Sequence, residues 1–531
     1  MQKKQKQNEE LIKKAYDLFD EFYSGTLEFR RKCIDNEEFY RANHWANIPS
    51  KAGEPQPVTP VLFSTIESIL GDIMDSYPEP VILGEEEQDE KVASDVNDIV
   101  NYIIKRRRYK SIYRDKCRQA LKKGVSVQEV FWDKTLYNGL GDINIRQWDI
   151  LNFLWDPKSE TLQEGRAVFK FGFYTKEYIC ERYPFSKDML KTDTYSRLSY
   201  LGDTAPDEDV MIMDYWYKEY DENGKAHVHM AKLAGHVLLE DSKEECPYGM
   251  QISGQYPFVM ESPYPLEGQP VGIGIIDIFK NLQIYADKLD QIILKNALMS
   301  SKLKLLVNRN SDIDESALND WSKEIIKANR IDDGAIRWFQ PASLNPYVLT
   351  HYNSKLESIK EESGQSQFTR GEGGKGITAA SAILALQEAG SKRSRTLVDQ
   401  LYDGFENVVR LIIDLICENY TEERRFRIIN EKGAKTISFK NSDVKKGTKD
   451  LSRFIDFDIS IAVQKQTPYK TLYQNELALE LLKAGVIVPD EALSMMTFTG
   501  KDTLLESVKK RNEKEQMEKA LQLNSKELIA P

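Results

Sequence analysis

The residues that most invite a chemical role are Gly371-Glu372-Gly373-Gly374-Lys375-Gly376-Ile377-Thr378. Glycines let backbone N–H groups close around an anion at a helix N-terminus, where the helix dipole also favours negative charge. A phosphate-cradling Walker loop needs Gly, four residues, then Gly-Lys and Ser or Thr, so that lysine and hydroxyl reach phosphate and magnesium. Here Gly376 follows Lys375 and Thr378 comes too late. The upstream run Glu362-Ser363-Gly364-Gln365-Ser366-Gln367 is polar and supplies no buried strand of a nucleotide-binding unit. The spacing therefore predicts a mobile surface loop and no nucleotide site.

Other chemistry is sparse. His227 and His229 would share one face of a strand, with His236 seven residues further on, a fragment of a metal set without a carboxylate or cysteine at ligand spacing. Asp312-Ile313-Asp314-Glu315 opens like a calcium loop but lacks its glycine and terminal glutamate, and reads as a solvated helix start. The five histidines flank no distinctive Ser or Cys motif, so no catalytic residue, cofactor or metal is assigned.

The elements that would carry these residues are mixed. Helical patterns cover Asn8 to Tyr23, Leu27 to Trp45, Pro60 to Tyr77 and Asp89 to Lys123. In Lys105 to Lys123, ten Lys or Arg face the single Asp115; because Tyr109, Ile112, Tyr113, Cys117, Ala120 and Leu121 recur at helical spacing, the basic residues read as the wet side of an amphipathic helix. Antiparallel hairpins are predicted about Asn138-Gly139, Asp221 to Gly224 and Glu431 to Gly433. A long helix over Gly274 to Met299 carries Ile275, Phe279, Leu282, Ala286, Leu289 and Ile293 at steps of 4, 3, 4, 3 and 4, a packing seam, while Lys288, Lys295 and Lys302 share another face. A helix near Glu315 to Ala328 and a strand at Ala335 to Phe339 follow, then a returning helix at Tyr352 to Glu362. A longer helix runs from Ala379 to about Tyr420, with Leu397, Leu401, Phe405, Val408, Ile412 and Leu415 on one side and Gly390 and Gly404 as places to bend. At roughly 60 Å, such a rod is more than a solitary subunit would be expected to cover.

The 531 residues suffice for several domains, and 41% apolar with 10% aromatic residues builds real cores. A formal charge of −11 argues against tight wrapping of nucleic acid, while loose or transient contact stays open. No apolar run suggests a membrane span, and the start, Met1-Gln2-Lys3-Lys4, lacks the apolar stretch of a signal peptide, so the chain is expected to be cytosolic when made. Five scattered cysteines read as reduced thiols.

Several ordered strings resemble the portal proteins of tailed bacteriophages and prophages, the head-to-tail connectors. They are Arg118-Gln119-Ala120-Leu121-Lys122-Lys123-Gly124-Val125-Ser126-Val127-Gln128-Glu129-Val130-Phe131-Trp132-Asp133, then Tyr256-Pro257-Phe258-Val259, Gly272-Ile273-Gly274 leading to Gln283, and Thr378-Ala379-Ala380-Ser381-Ala382-Ile383. The resemblance implies an elongated α+β fold, not an enzyme, assembling as a dodecameric ring at one capsid vertex of the virion after assembly in the host cytoplasm. It further implies a channel for double-stranded DNA during packaging and ejection. Its partners would be the terminase large subunit, the major capsid and scaffolding proteins, and head-completion adaptor or tail proteins, with no membrane. Residues 1–273 and 421–467 would be the wing, 274–300 and 350–363 the stem, 301–349 the clip, 364–378 the tunnel loop, 379–420 its supporting helix and 468–531 the crown. Gln367, Arg370, Glu372 and Lys375 would then form rings near DNA, and Lys288, Lys295 and Lys302 would face the channel. The alternatives are a nucleic-acid-processing enzyme using the glycine-rich loop, or a virion protein without a pore.

Overall fold

The computed structural model describes residues 2–51, 53–86, 89–187, 189–190, 195, 198, 200, 209–246, 253–301, 304–307, 336–339, 343–364, 392–430, 433–446, 453–455, 457–463 and 468–496. The expected helix at 315–328, the glycine-rich loop, the first part of the longest helix and the chain beyond 496 lie outside them.

Five helices open the chain: α1 (Gln2–Gly25), α2 (Leu27–Tyr40), α3 (Val61–Asp75), α4 (Glu90–Arg106) and α5 (Tyr109–Lys123), with strand β1 (Pro78–Gly84) between α3 and α4. The single helix expected over Asp89 to Lys123 is in fact two. Arg108 adopts the left-handed region at φ +53°, reversing the chain between them. The reversal lets Ile99 and Ile103 of α4 and Tyr109 and Tyr113 of α5 enter one core. A continuous helix would carry one of these faces past it.

β2 (Ser126–Asp133) leaves α5 almost at once, pairs antiparallel with β3 (Asp142–Trp148) and, on its other side, with β9 (Phe258–Glu261). The turn expected at Asn138-Gly139 is wider than a two-residue hairpin, with Tyr137, Asn138, Gly139 and Gly141 all at positive φ. β4 (Phe153–Trp155), β5 (Ala167–Thr175), β6 (Asp209–Tyr220), β7 (Ala226–Ala234) and β8 (Val237–Asp241) form an antiparallel sheet in that order, with short helices α6 (Lys176–Arg182) and α7 (Ser242–Glu245) beside it. Alternation along β6 sends Met211, Met213, Tyr215 and Tyr217 toward Phe19 and Phe22 of α1, and Trp216 to the other face against Phe258. With both faces covered, β4 and β5 lack the clean polar alternation that marks an exposed sheet.

The second half holds α8 (Ile275–Ser301), a strand pair of Lys304–Val307 with Ile336–Phe339, α9 (Pro346–Glu362), α10 (Lys392–Asn419), the hairpin Arg424–Asn430 with Gly433–Phe439, and helices α11 (Pro468–Lys483) and α12 (Pro489–Met495). β1 pairs across the chain with Phe457–Val463. α10 is the core rod: Leu397, Leu401, Phe405, Val408, Ile412 and Leu415 are all buried in the largest cluster, against α3, α4, α5 and the start of α8. The apolar side of its described length is thus covered by its own chain, while residues 379–391 of the expected rod lie outside the described residues. Each such side chain contributes about 1.5–3 kcal/mol.

The basic face of α5 also departs from expectation. Lys105, Arg106, Arg108, Lys110 and Arg114 are exposed, but Lys116, Lys122 and Lys123 are buried. Each of the three has an acidic partner from another element: Glu261, Glu37 and Asp149. Burial pulls the Lys122 amine down, against the pull of Glu37. Charge in the sequence does not reveal a partner distant along the chain.

Candidate functional site, the α8–α9 hairpin and its anchors

α8 begins where two of the family-like strings meet. Gly124 ends α5 at φ +80°, and a Cβ there would lie 2.5 Å from the Gly272 carbonyl oxygen. A Cβ on Gly274 would lie 2.6 Å from the Leu121 oxygen. Only glycine lets backbones approach this closely. Asp277 then closes the first turn, accepting from the Gly274 N–H and from Asn36 Nδ2, each at 2.8 Å, and pairing with Lys32 at 3.1 Å. A carboxylate at this end of a helix also meets the favourable end of its dipole.

One flank of α8 is tied to α2 and to the segment after it. Lys280 pairs with Asp35 and lies over the Phe39 ring at 4.7 Å. Gln283 donates from Nε2 to the Thr59 carbonyl and to Asp287 Oδ1, both at 2.9 Å. Asp287 Oδ2 lies 2.6 Å from Nδ1 of His44, whose Nε2 is 3.1 Å from the Phe39 carbonyl and whose ring stacks on Phe39. The His44 and Asp287 side chains are 0% and 1% exposed, so their contact stands where water could not replace either partner. Burial raises the neighbouring Asp290 carboxyl, as does the Asp287 charge. Further along, Gln291 donates to the Pro55 carbonyl and Lys295 to Glu54, both at 2.9 Å, and that lysine holds the Glu54 carboxyl below its usual range. α9 packs along α8, and its Ile359 joins Ile275 and Phe279 in the main core.

The long helix has its own seat. Lys116 Nζ lies 2.5 Å from Glu261 Oε1, with side chains 0% and 5% exposed, and Ser126 Oγ donates to the same oxygen at 3.0 Å. Gly404 of α10 presses on this pair: a Cβ there would overlap Glu261 Oε2. Gly404 is thus a close approach, where the sequence suggested a bend. Near the end of α10, burial raises the carboxyls of Asp414 and Glu418, Glu418 to about 7, with the Asp414 charge adding to the effect.

The sequence matches the family of Phage P22-like portal proteins over residues 16–528. The chain belongs to that family. It is also 20% identical, over 475 residues, to a portal protein of Helicobacter pylori bacteriophage KHP30, covering 83% of this chain and 72% of that one. It is therefore a phage portal chain, a structural protein of the virion capsid, and among the described residues no helix is long and apolar enough to cross a membrane.

In this portal chain the predicted residues fall as follows. Of the seam, Ile275, Phe279 and Ala286 are buried within the chain, while Leu282, Leu289 and Ile293 are half-buried. Lys288 is exposed; Lys295 is exposed but tied to Glu54; Lys302 lies outside the described residues. Gln367, Arg370, Glu372 and Lys375 also lie outside them. The histidines do not converge. His227 is 3.5 Å from Asp221, His229 is buried beside Tyr217, and His236 stacks on Tyr16 beyond the far end of β7. Among the described residues no group of three metal-ligating side chains occurs. The cysteines are free, and burial pushes Cys33, Cys117 and Cys417 up to about 12. Residue spacing gave no notice of the pairs His44–Asp287 and Lys116–Glu261; the nearest signal was a lysine on the apolar side of α5, while Asp287 lies beside the apolar seam of α8 and not in it.

Proposed function

We propose that this portal chain forms a dodecameric ring at one vertex of the capsid and that double-stranded DNA passes through its centre during packaging and ejection. The α8–α9 hairpin would be the stem around the channel, and residues 364–378 the loop at its inner wall. The terminase large subunit, and later head-completion adaptor or tail proteins, would dock on the ring, which would sit among the major capsid and scaffolding proteins. The observation that carries this reading is the hairpin itself. Its base is bound to the folded body by the buried His44–Asp287 pair and by glycine contacts, within a chain that matches the portal family along nearly its whole length.

In a closed ring each side chain recurs around the axis, so one exposed lysine such as Lys288 becomes a full circle of charge. A few such circles guide a polyanion, and an acidic chain of net charge −11 avoids the tight phosphate contact that would stall sliding. Electron microscopy of the purified protein tests the proposal. Twelve-fold rings with a through-channel are expected; a monomer, or a ring without a channel, would overturn it.

A further inference from the structure

The corner between α4 and α5 gathers cations that the fold does not use. Lys105, Arg106, Arg108 and Lys110 are exposed, and none has an acidic partner among the described residues. Carboxylates beside the corner are already engaged, Asp142 by Arg107 and Arg424, and Asp115 by Arg114 and Arg118. The Arg106 guanidinium lies over the rings of Tyr102 and Tyr137, 5.9 and 5.4 Å from their centroids. Tyr102 meets Phe426 edge-on at 5.7 Å, which joins the corner to the hairpin of Arg424–Asn430 with Gly433–Phe439. Phe426, Ile437 and Phe439 of that hairpin are buried, so alternation turns Arg425, Arg427, Thr436 and Ser438 outward, and all four are exposed. Arg425 and Ser438 share Glu423, whereas Arg427 has no acidic partner among the described residues.

We infer that this corner and the outward face of the hairpin form a surface that holds the phosphates of double-stranded DNA outside the channel. The inference rests on the reading that the chain handles DNA, and it does not need the ring. Arginine, lysine and small hydroxyls are the side chains that contact a DNA backbone, and such contacts carry no preference for sequence. An acidic protein segment would want apolar seats between the charges, and the four outward positions of the hairpin offer none. Position separates the surface from the stem. α5 has 15 residues, so Arg108 at its head stands roughly 20 Å from Gly124 at its foot, where Gly272 and Gly274 lead into α8. A few such contacts, in a chain of net charge −11, give a weak and salt-sensitive hold that DNA can leave.

Closed circular duplex DNA tests this, because it cannot thread a closed ring and so reports outer surfaces alone. Its binding by the full-length protein is followed from roughly 50 to 200 mM salt. Arg106→Gln, Arg108→Asn and Arg427→Gln are combined in one variant, asparagine being a residue that tolerates the left-handed backbone of position 108. Three lost phosphate contacts lower the slope of log affinity against log salt by about 2.7, so the unchanged protein should lose about 40-fold more affinity than the variant across that range. A control with Lys176→Gln, Lys187→Gln and Lys225→Gln removes the same charge from exposed positions beside the five-stranded sheet and should keep the original slope. Melting temperature and particle mass should be the same in all three proteins. An unchanged slope in the first variant, or an equal loss in the control, would overturn the inference. Poly-glutamate bound more tightly than the circle, and released by the same three changes, would also overturn it and mark an acidic protein as the occupant. Rings that bind linear but not circular DNA would overturn it and leave the ring reading standing. A circle held with the expected slopes by protein that forms no rings would uphold it and bring the ring reading down.

Discussion

Single residues in this chain are constrained by what approaches them from elsewhere. Gly404 and Gly71 are both helical glycines, yet Gly71 has nothing within 4 Å of a built Cβ while Gly404 meets the Glu261 carboxylate. Gly71→Ala should therefore stabilise by about 0.5–1 kcal/mol through helix propensity. Gly404→Ala should destabilise by about 1–3 kcal/mol, because the pinned carboxylate must leave its lysine or the helix must lift. Paired thermal melts check the opposite signs.

Glu418 gives a pH prediction. Its folded-state pKa, about 7, lies above the ordinary 4.5, so the folded chain holds this proton where the unfolded chain has released it. Its contribution is full below about 4.5 and is lost as pH rises toward 7 and beyond. Glu418→Gln should leave stability unchanged at acid pH and raise it by about 1–3 kcal/mol above neutrality, seen as a flatter denaturation profile across that window. Equal pH slopes in both proteins would refute this.

At the level of elements, α8 is held by few but deep contacts. Asp287→Ala leaves His44 buried without its carboxylate, at a cost of about 3–5 kcal/mol. Because His44 also anchors the residues after α2, amide exchange should rise in α8 and around residues 44–59, and less in α10, which shares the apolar cluster with the base of α8 but rests mostly on α3, α4, β1 and the strands beside it. Uniform loosening would show that the pair stabilises the whole body and not the hairpin. Which elements were legible depends on how local their causes are. The near-heptad of α8 and the apolar side of α10 are local patterns; α8 is where periodicity puts it, and so is the described part of the longer helix, Lys392–Asn419. The break at Arg108, the strand β1 and the strands β4 and β5 were not legible, since each answers to a partner far along the chain or to a sheet covered on both sides.

For the whole molecule, the proposed ring makes each local feature a repeated one. Deleting 371–376 should leave ring assembly intact, judged by particle mass, while lowering DNA packaged per capsid, as expected of a segment proposed to meet DNA and not to close the ring. Loss of the rings themselves would instead make that segment part of their scaffold.

The sequence by itself determined the family, the helix α8 and the apolar side of α10, because ordered strings and apolar periodicity are properties of neighbouring residues. Only the tertiary structure decided that the Lys116 and Asp287 side chains are interior, that Gly404 is a contact and that the apolar side of α10 is covered by its own chain. It also placed Gln283 and Asp287 on the side of α8 that faces the chain's own core. Burial and pairing depend on residues hundreds of positions apart, and no local pattern carries them.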